Sequence, residues 1–190
     1  MIPNKNRHKL IVTLTVVATV FLLLLLNKGL GLDGKKMTSP LVGQPAQNFH
    51  LSLLQGSRLL LGHEAESLDL SELKGSPLIL NFWASWCSTC AEESHILEAF
   101  WKDHAQEGIK VLGIAVHDKK EEVLTFVQSA GKTFAIGLDE EGRVSLNFGV
   151  TGVPETVFIN AQGVVIHKET GPLNRRLLEN MWIKLKESAT

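Results

Sequence analysis

The sequence predicts an α/β domain preceded by one membrane-spanning helix. Three observations support this: a long uncharged apolar run lies in the first 40 residues, apolar segments of strand length alternate with helical patterns from Leu41 to Thr190, and 44% of the residues are apolar against 21% charged. A length of 190 residues suits one domain with an appendage. A large multidomain enzyme and a disordered chain are thereby excluded.

The apolar run is Leu10–Leu26, 17 residues without a charge, and Lys5, Arg7 and Lys9 precede it. A helix of this length, at about 1.5 Å per residue, is near the lower limit for crossing the hydrocarbon core of a bilayer. The run is therefore either an uncleaved anchor or the core of a long signal peptide. The anchor is favoured, because no A-x-A cleavage site follows and the run exceeds the usual length of a signal-peptide core.

The basic residues before the run predict the topology of the chain. Residues 1–9 are expected in the cytoplasm and residues 10–27 in the membrane, while residues 28–40, rich in Gly, Lys and Ser, form a tether. Residues 41–190 form the domain on the other side of this single-pass anchor. The domain carries 13 Lys and Arg against 19 Asp and Glu, so it lacks the basic surface that binding to nucleic acid requires.

Two short apolar runs have the character of buried central strands, Leu78–Ala84 and Lys110–Val116. Apolar residues recur at helical spacing between these strands and again after the second one, which predicts a helix in each place. These residues are Ile96, Leu97, Phe100, Trp101, Val123, Phe126 and Val127.

The last part of the chain predicts a β-hairpin and a closing helix. Thr156–Asn160 and Val164–Lys168 are the two strands, and Ala161-Gln162-Gly163 is the turn between them. An amphipathic pattern then predicts a helix that packs against the core. Its apolar residues are Leu177, Leu178, Met181, Trp182 and Leu185.

The two cysteines of the chain, Cys87 and Cys90, directly follow the first predicted strand and open the helix after it. Their separation is too short to connect distant parts of a fold, so the pair is expected to carry chemistry. At a helix N-terminus the unpaired backbone N–H groups and the macrodipole favour a thiolate, which predicts Cys87 as the attacking sulfur. Cys90, one turn further on, can resolve a mixed disulfide by attacking Cys87.

Metal binding is the alternative use of such a pair. Structural zinc normally has four ligands, and the sequence contains neither a second CxxC nor an H-x3-5-H pair. His95 lies five positions beyond Cys90 and is a candidate third ligand for copper. The sequence therefore predicts no metal and no organic cofactor, while a Cu(I) module of Cys87, Cys90 and His95 stays open.

The residues around the cysteines resemble a known family. Asn81–Cys90 (NFWASWCSTC), followed by Glu93, is similar to the active site of the membrane-anchored thioredoxin-like proteins of the TlpA/ResA/CcmG (DsbE) group. Three further segments also resemble that group. Val42–Phe49 resembles the first segment of its domain, Leu70–Pro77 the segment just before the strand that leads to the cysteines, and Gly149–Phe158 its proline loop.

Within the group, Gly152–Thr156 and Gly171-Pro172-Leu173 look most like the CcmG branch. The resemblance implies a thioredoxin-like fold, a central mixed sheet flanked by helices, with a redox-active Cys87–Cys90 disulfide. It implies a reductase of apocytochrome c in cytochrome c maturation, anchored in the bacterial inner membrane with its domain in the periplasm. Because that compartment is oxidising, the resemblance also implies a membrane electron donor of the DsbD/CcdA kind.

The resemblance assigns roles to residues around the dithiol. Pro154 matches the group's cis-proline, and with a cis bond the backbone of Val153 would pair with an extended substrate segment beside the sulfurs. Trp86 would form an apolar wall of the site. Glu93 and Glu155 match acidic positions where a carboxylate raises the pKa of the thiols and relays protons, although both are equally explained as surface charges.

Two positions depart from relatives. General thioredoxins carry a buried aspartate where this chain has Asn81, so the proton is expected to go to Glu93 and Glu155, unless Asn81 is simply a satisfied core amide. Ser88-Thr89 replaces a proline-containing pair found in many relatives, which leaves the reduction potential open between about −270 and about −120 mV. An oxidase, and a reductant or Cu(I)-binding assembly module for copper-site cysteines, therefore stay as alternatives.

Overall fold

The structure is a computed structural model that describes residues 5–30 and 39–188. The chain divides after residue 37 into two units, each described by itself. The first four residues of the predicted cytoplasmic segment and residues 31–38 of the predicted tether lie outside the described residues.

The described part of the first unit is one helix, α1 (Lys5–Leu30). Its stretch Lys9–Leu26 is long and apolar enough to cross a membrane. The hydroxyl groups of Thr13, Thr15 and Thr19 each donate to the carbonyl oxygen four residues earlier, which satisfies them without solvent. The 26-residue helix is about 39 Å long and extends beyond the predicted apolar run at both ends, where its residues are mostly charged or polar.

The second unit is built on a seven-stranded mixed sheet. Its strands are β1 (His50–Gln55), β2 (Ser67–Asp69), β3 (Leu78–Trp83), β4 (Lys110–Val116), β5 (Ala135–Asp139), β6 (Glu155–Ile159) and β7 (Val165–Thr170). Their order across the sheet is β2-β1-β5-β4-β3-β6-β7. Strands β3, β4 and β5 are parallel, and the strands outside them run antiparallel to their neighbours.

Helices flank this sheet. They are α2 (Ser57–Leu61), α3 (Ser88–His104), α4 (Lys120–Ser129), α5 (Arg143–Asn147) and α6 (Arg175–Glu187). The predicted α/β fold is confirmed: the two predicted central strands are β3 and β4, and the predicted hairpin is β6 with β7. The hairpin strands begin and end one or two residues from the predicted bounds, because their ladder runs from Glu155 opposite Thr170 to Ile159 opposite Val165.

The sheet separates two apolar cores. Trp83 and Phe100 belong to the core that α3, α4 and α6 help to form, together with both cysteines. Phe49, Phe82 and Phe148 belong to the core on the other face. All six residues of β3 are buried, so this strand is fixed from both sides before it leads into the cysteines.

Gly137 in β5 lies where the second core leaves no room for a side chain. A Cβ atom there would overlap Cδ2 of the buried Leu51 and lie 2.9 Å from its Cγ. We expect Gly137→Ala to lower the free energy of unfolding by about 1–3 kcal/mol through overpacking, measured by urea denaturation.

Gly152→Ala is the control for this change, because a Cβ atom at Gly152 meets nothing within 4 Å. It should alter the free energy of unfolding by less than about 0.5 kcal/mol. Equal effects of the two substitutions would contradict the packing described for β5.

Candidate active site

Cys87 and Cys90 lie at the junction of β3 and α3. Cys87 is the N-cap residue of α3, and its Sγ accepts a hydrogen bond from the backbone N–H of Cys90 at 3.1 Å. The two sulfurs form a disulfide, with Cα atoms 5.2 Å apart. The helix therefore directs its N-terminal dipoles at the Cys87 sulfur, which favours a thiolate there once the disulfide is reduced.

The two cysteines differ in exposure. Cys87 keeps 8% of its surface exposed, whereas Cys90 keeps 1%. An incoming polypeptide therefore reaches the sulfur of Cys87 first, and Cys90 lies behind it. A division into an attacking and a resolving sulfur needs this arrangement.

The loop that precedes β6 lies against Cys87. The Val153–Pro154 peptide bond is cis, as predicted, and the carbonyl oxygen of Val153 lies 3.7 Å from Cys87 Sγ. Val153 is half-buried and Pro154 is buried. A main-chain group is thus available beside the sulfur, while its pairing with a substrate strand stays a prediction.

A network behind Trp86 fixes the loop between β3 and α3. Asp118, which follows β4, accepts hydrogen bonds from the backbone N–H of Ser85 at 2.6 Å and from its hydroxyl at 3.0 Å. The indole N–H of Trp86 donates to the carbonyl oxygen of His117 at 3.4 Å, while 66% of Trp86 stays exposed. Trp86 therefore offers an apolar surface next to Cys87, and its contact with substrate stays a prediction.

Glu93 is buried, with 3% of its surface exposed, so the surface-charge alternative is wrong for this residue. Its Oε1 accepts a hydrogen bond from the Asn81 amide at 3.0 Å, and its Oε2 accepts one from the backbone N–H of Leu173 at 2.6 Å. Burial raises the pKa of Glu93, and it outweighs the opposing effect of these two hydrogen bonds and of the positive charge on Lys132. Glu93 is therefore a buried carboxyl group beside the dithiol with a raised pKa, which makes it a candidate for proton transfer.

Asn81 is a satisfied core amide. Besides Glu93, its amide group donates to the Thr156 hydroxyl at 3.1 Å. A carboxamide can turn over and present its oxygen instead, and a hydroxyl can either donate or accept. Asn81, with Thr156 as its second partner, can therefore hydrogen-bond to Glu93 both as a carboxylate and as a carboxylic acid.

Glu155 is also buried, with 1% of its surface exposed, so the surface-charge alternative is wrong here too. Its carboxylate pairs with Lys168 Nζ at 2.7 Å and accepts hydrogen bonds from the backbone N–H and the hydroxyl of Thr151. Burial alone would raise the pKa of Glu155, but the bonds to Lys168 and Thr151 outweigh burial and lower it. Lys168 also donates to the carbonyl oxygens of Phe148 and Gly149, so these contacts anchor the proline loop to β7.

The copper alternative gains no geometric support. The described residues hold no group of three or more His, Cys, Asp or Glu side chains placed to bind a metal ion. His95 lies on the exposed side of α3, and the two cysteines are bonded to each other.

Comparison with known proteins identifies the family. The AhpC/TSA family model matches residues 42–168. The thiol:disulfide interchange protein DsbE of Allochromatium vinosum is 34% identical over 154 residues, which make up 80% of this chain and 80% of that protein. The chain belongs to the AhpC/TSA family, among the DsbE proteins. The DsbE protein of Escherichia coli K12 is 29% identical over 178 residues, which cover 91% of each chain.

The crystal structure of a thiol:disulfide interchange protein of the thioredoxin family from Chlorobium tepidum matches this fold with a TM-score of 0.62. The match has 22% sequence identity and covers 77% of this chain and 96% of that one. The predicted thioredoxin-like fold is confirmed. As a member of the DsbE family, the chain is a protein-disulfide oxidoreductase, and Cys87 with Cys90 is its redox-active CxxC pair.

Two residues at the site, Asp118 and Lys168, were not predicted from the sequence. Asp118 follows a buried strand of the parallel part of the sheet, where such folds concentrate functional side chains, so its position was a usable signal. Lys168 carried no such signal, because only the antiparallel pairing of β6 and β7 brings it near Glu155.

Asn81→Asp tests whether Glu93 titrates in contact with Asn81. The substitution places a second carboxylate against Oε1 of Glu93, so we expect the two acids to share a proton and the pKa of the pair to rise. When the pKa of an acid is higher in the folded than in the unfolded state, the folded protein loses stability as the pH rises through the folded pKa. We therefore expect the free energy of unfolding of the variant to fall between about pH 4 and about pH 7. The total fall should be about 1.4 kcal/mol for each unit by which the folded pKa exceeds the unfolded pKa.

The double variant Asn81→Asp/Glu93→Gln is the matched control, because it exchanges the acid and the amide between the two positions. It should recover most of the stability at neutral pH in the same denaturation series. If Asn81→Asp is no more sensitive to pH than the parent protein, the assigned contact with Glu93 is wrong.

Proposed function

We propose that this protein reduces disulfides in client polypeptides on the periplasmic side of the bacterial inner membrane, and that its clients are apocytochromes c. The observation that carries the proposal is the one-sided access to the dithiol, with Cys87 8% exposed beneath the proline loop and Cys90 1% exposed behind it. An extended client segment that pairs with the Val153 backbone would bring its own disulfide to Cys87. The C-x-x-C-H segment that binds haem in c-type cytochromes has two cysteines close together, so when oxidised and extended it is such a client.

The reaction begins from the reduced protein. The Cys87 thiolate attacks one sulfur of the client disulfide, that bond breaks, and the second client sulfur leaves as a thiolate and takes up a proton. Cys90 then loses its proton and attacks Cys87, which breaks the mixed disulfide. The client leaves with two thiols, and the protein keeps the Cys87–Cys90 disulfide that the structure shows. Two electrons have passed from the protein to the client, and of the two protons that the client gains, one replaces the proton lost by Cys90 and the other comes from solvent.

Glu93 is the group that we assign to the proton of Cys90. It lies one helical turn beyond Cys90 on α3, it is buried on the inner side of the site, and its pKa is raised by burial. Glu155 is assigned a positioning role. Its contacts with Lys168 and Thr151 hold the loop of Val153 and Pro154 against Cys87.

A reducing rather than an oxidising role follows from the charge near the dithiol. Strong oxidants of this fold stabilise their reduced form, whose thiolate is the favoured species. The Glu93 carboxylate, on the turn after Cys90, repels the negative charge of a thiolate in the reduced dithiol. This repulsion destabilises the reduced form. We expect the dithiol potential of this protein to lie nearer about −270 mV than about −120 mV in equilibration with glutathione or dithiothreitol.

A potential close to the upper of these values would overturn the reductase assignment and favour an oxidase. Glu93→Gln is the internal comparison, because it removes the opposing charge. Its potential should be higher than that of the parent protein.

The N-terminal helix supports the proposed location. Three basic residues precede the apolar run in the sequence, which favours residues 1–9 in the cytoplasm, residues 10–27 in the membrane and a tether over residues 28–40. A reductant on the oxidising side must be reduced again after each turnover. A membrane electron donor of the DsbD/CcdA type fills this need.

The roles of the two cysteines can be tested with an oxidised peptide that carries a C-x-x-C-H disulfide. Because the resolving sulfur is gone, reduced Cys90→Ser should form a mixed disulfide with the peptide through Cys87 and release it at least about 100-fold more slowly than the parent, as followed by mass spectrometry after acid quench. Cys87→Ser, the matched control, should form little adduct, since its remaining sulfur is buried. Release from Cys90→Ser at the parental rate would contradict this assignment. If the protein reduces oxidised peptides from copper sites but not the C-x-x-C-H peptide, then apocytochrome c is not its client and copper-site proteins are.

A further inference from the structure

A buried lysine lies behind the active site. Lys132, in the loop between α4 and β5, has only 5% of its surface exposed. Its ammonium nitrogen lies 3.8 Å from the centroid of the Trp83 ring, 5.3 Å from that of Phe126 and 5.6 Å from that of Phe134. An ammonium group held in an aromatic cluster loses much of its hydration, which is costly unless charges or ring faces compensate.

The backbone around Lys132 is held from two sides. Glu98 on α3 accepts hydrogen bonds from the backbone N–H of Thr133 at 2.8 Å and from its hydroxyl at 2.6 Å. The carbonyl oxygen of Lys132 accepts a hydrogen bond from the side chain of Gln55 on β1 at 3.1 Å. These contacts hold the main chain from which the Lys132 side chain enters the aromatic cluster.

Lys132 and Glu93 lie on the same face of β3: the ammonium lies over Trp83 and the carboxylate contacts Asn81, and side chains two positions apart on a strand point to the same side. Glu98, on the same helix as Glu93, holds the backbone N–H of the next residue, Thr133. The negative charges of Glu93 and Glu98 both favour the charged form of Lys132.

Glu98 already has a cation, because Lys102 pairs with it at 3.1 Å from the solvent side. The hydrogen bonds to Glu93 come from neutral groups, the Asn81 amide and a backbone N–H. The other contacts of the ammonium given above are aromatic rings from β3, α4 and the residue before β5.

The charges of the two groups support each other. Burial lowers the pKa of Lys132 to about 8, although Glu93 and Glu98 oppose this effect. Burial raises the pKa of Glu93, and the positive charge of Lys132 opposes that change. Each group therefore makes it easier for the other to carry its charge near neutral pH.

We propose that Lys132 is a positioning residue for the resolving step: its ammonium is the counter-charge that lets Glu93 ionise behind Cys90. The inference rests on the role proposed for Glu93. In the step, ionised Glu93 takes the proton of the Cys90 thiol, the resulting thiolate attacks Cys87, the mixed disulfide breaks, and the client departs as a thiolate. The proton on Glu93 then passes to that thiolate or to solvent, which returns Glu93 to its charged form beside Lys132.

Lys132→Met tests this inference, because methionine fills the aromatic cluster without a charge. The full chain in detergent micelles, reduced, is mixed with saturating oxidised C-x-x-C-H peptide, and peptide release is followed by stopped flow across pH. We expect the midpoint of the release profile to move up by about one pH unit, so that release below it is about tenfold slower. The pKa of Glu93, followed by the carboxyl ¹³C shift, should rise in parallel.

Lys102→Met is the matched control, because it removes the exposed cation that pairs with Glu98 and leaves Lys132 in place. Its release profile should match that of the parent. Lys132→Arg keeps a positive charge and should retain the parental midpoint, which keeps the test decisive if the methionine variant folds poorly. A parental release profile in Lys132→Met would overturn the inference and reduce Lys132 to a packing role.

Glu93→Gln separates this inference from the proposal on which it rests. If Glu93→Gln leaves the release profile unchanged, the role of Glu93 is wrong. If Glu93→Gln alters the profile but Lys132→Met does not, only the role of Lys132 is wrong. In Lys132→Met/Glu93→Gln the two effects should not add, because both substitutions remove the same ionised carboxylate.

Discussion

The Glu93 carboxylate joins the elements that meet behind the dithiol. It lies on α3 and accepts hydrogen bonds from Asn81 on β3 and from Leu173 just before α6. Burial of a carboxylate is costly, and the raised pKa of Glu93 shows that its hydrogen bonds only partly offset the cost. Because the folded pKa lies above the unfolded value of about 4.3, this group weakens the fold as the pH rises through the folded pKa and costs nothing below the unfolded one. Glu93 thus contributes less to stability above its folded pKa than below its unfolded pKa, at the position proposed for the proton acceptor.

Glu155 makes the opposite contribution. Its pKa is lowered, so the stability that it contributes is present above the unfolded value and is lost as the pH falls through the folded one. The ion pair with Lys168 is nearly inaccessible to solvent, with side-chain exposures of 8% for Lys168 and 1% for Glu155. Removal of either partner would leave an unpaired buried charge. The two acids therefore differ, although the same role was predicted for both from the sequence. Glu155 keeps its negative charge and holds the proline loop, whereas Glu93 has a raised pKa and is able to take up a proton.

The elements that the sequence predicted best are those whose pattern is local and strongly apolar. Strand β3 is buried on both faces and reads as a continuous apolar run, and α3 follows it with a clear helical spacing. Strands β1 and β2 alternate between buried and partly exposed residues at one end of the sheet, so no such run identifies them. The CxxC pair and the proline loop could be found from motifs. The burial of Glu93, Glu155 and Lys132 could not, because it depends on contacts between residues far apart in the chain.

The neutral amide at Asn81 explains how one site can combine these properties. A second acid on β3 would lie against Glu93, and the two would then hold one proton between them over the working pH range. With an amide there, Glu93 is the acid next to the strand, and Asn81 with Thr156 can hydrogen-bond to either of its protonation states. The proposed proton acceptor lies on the same helix as Cys90, one turn beyond it, and its hydrogen bonds come from buried groups. In the proposed mechanism the proton of Cys90 passes to Glu93, so the resolving step does not depend on solvent reaching the buried Cys90.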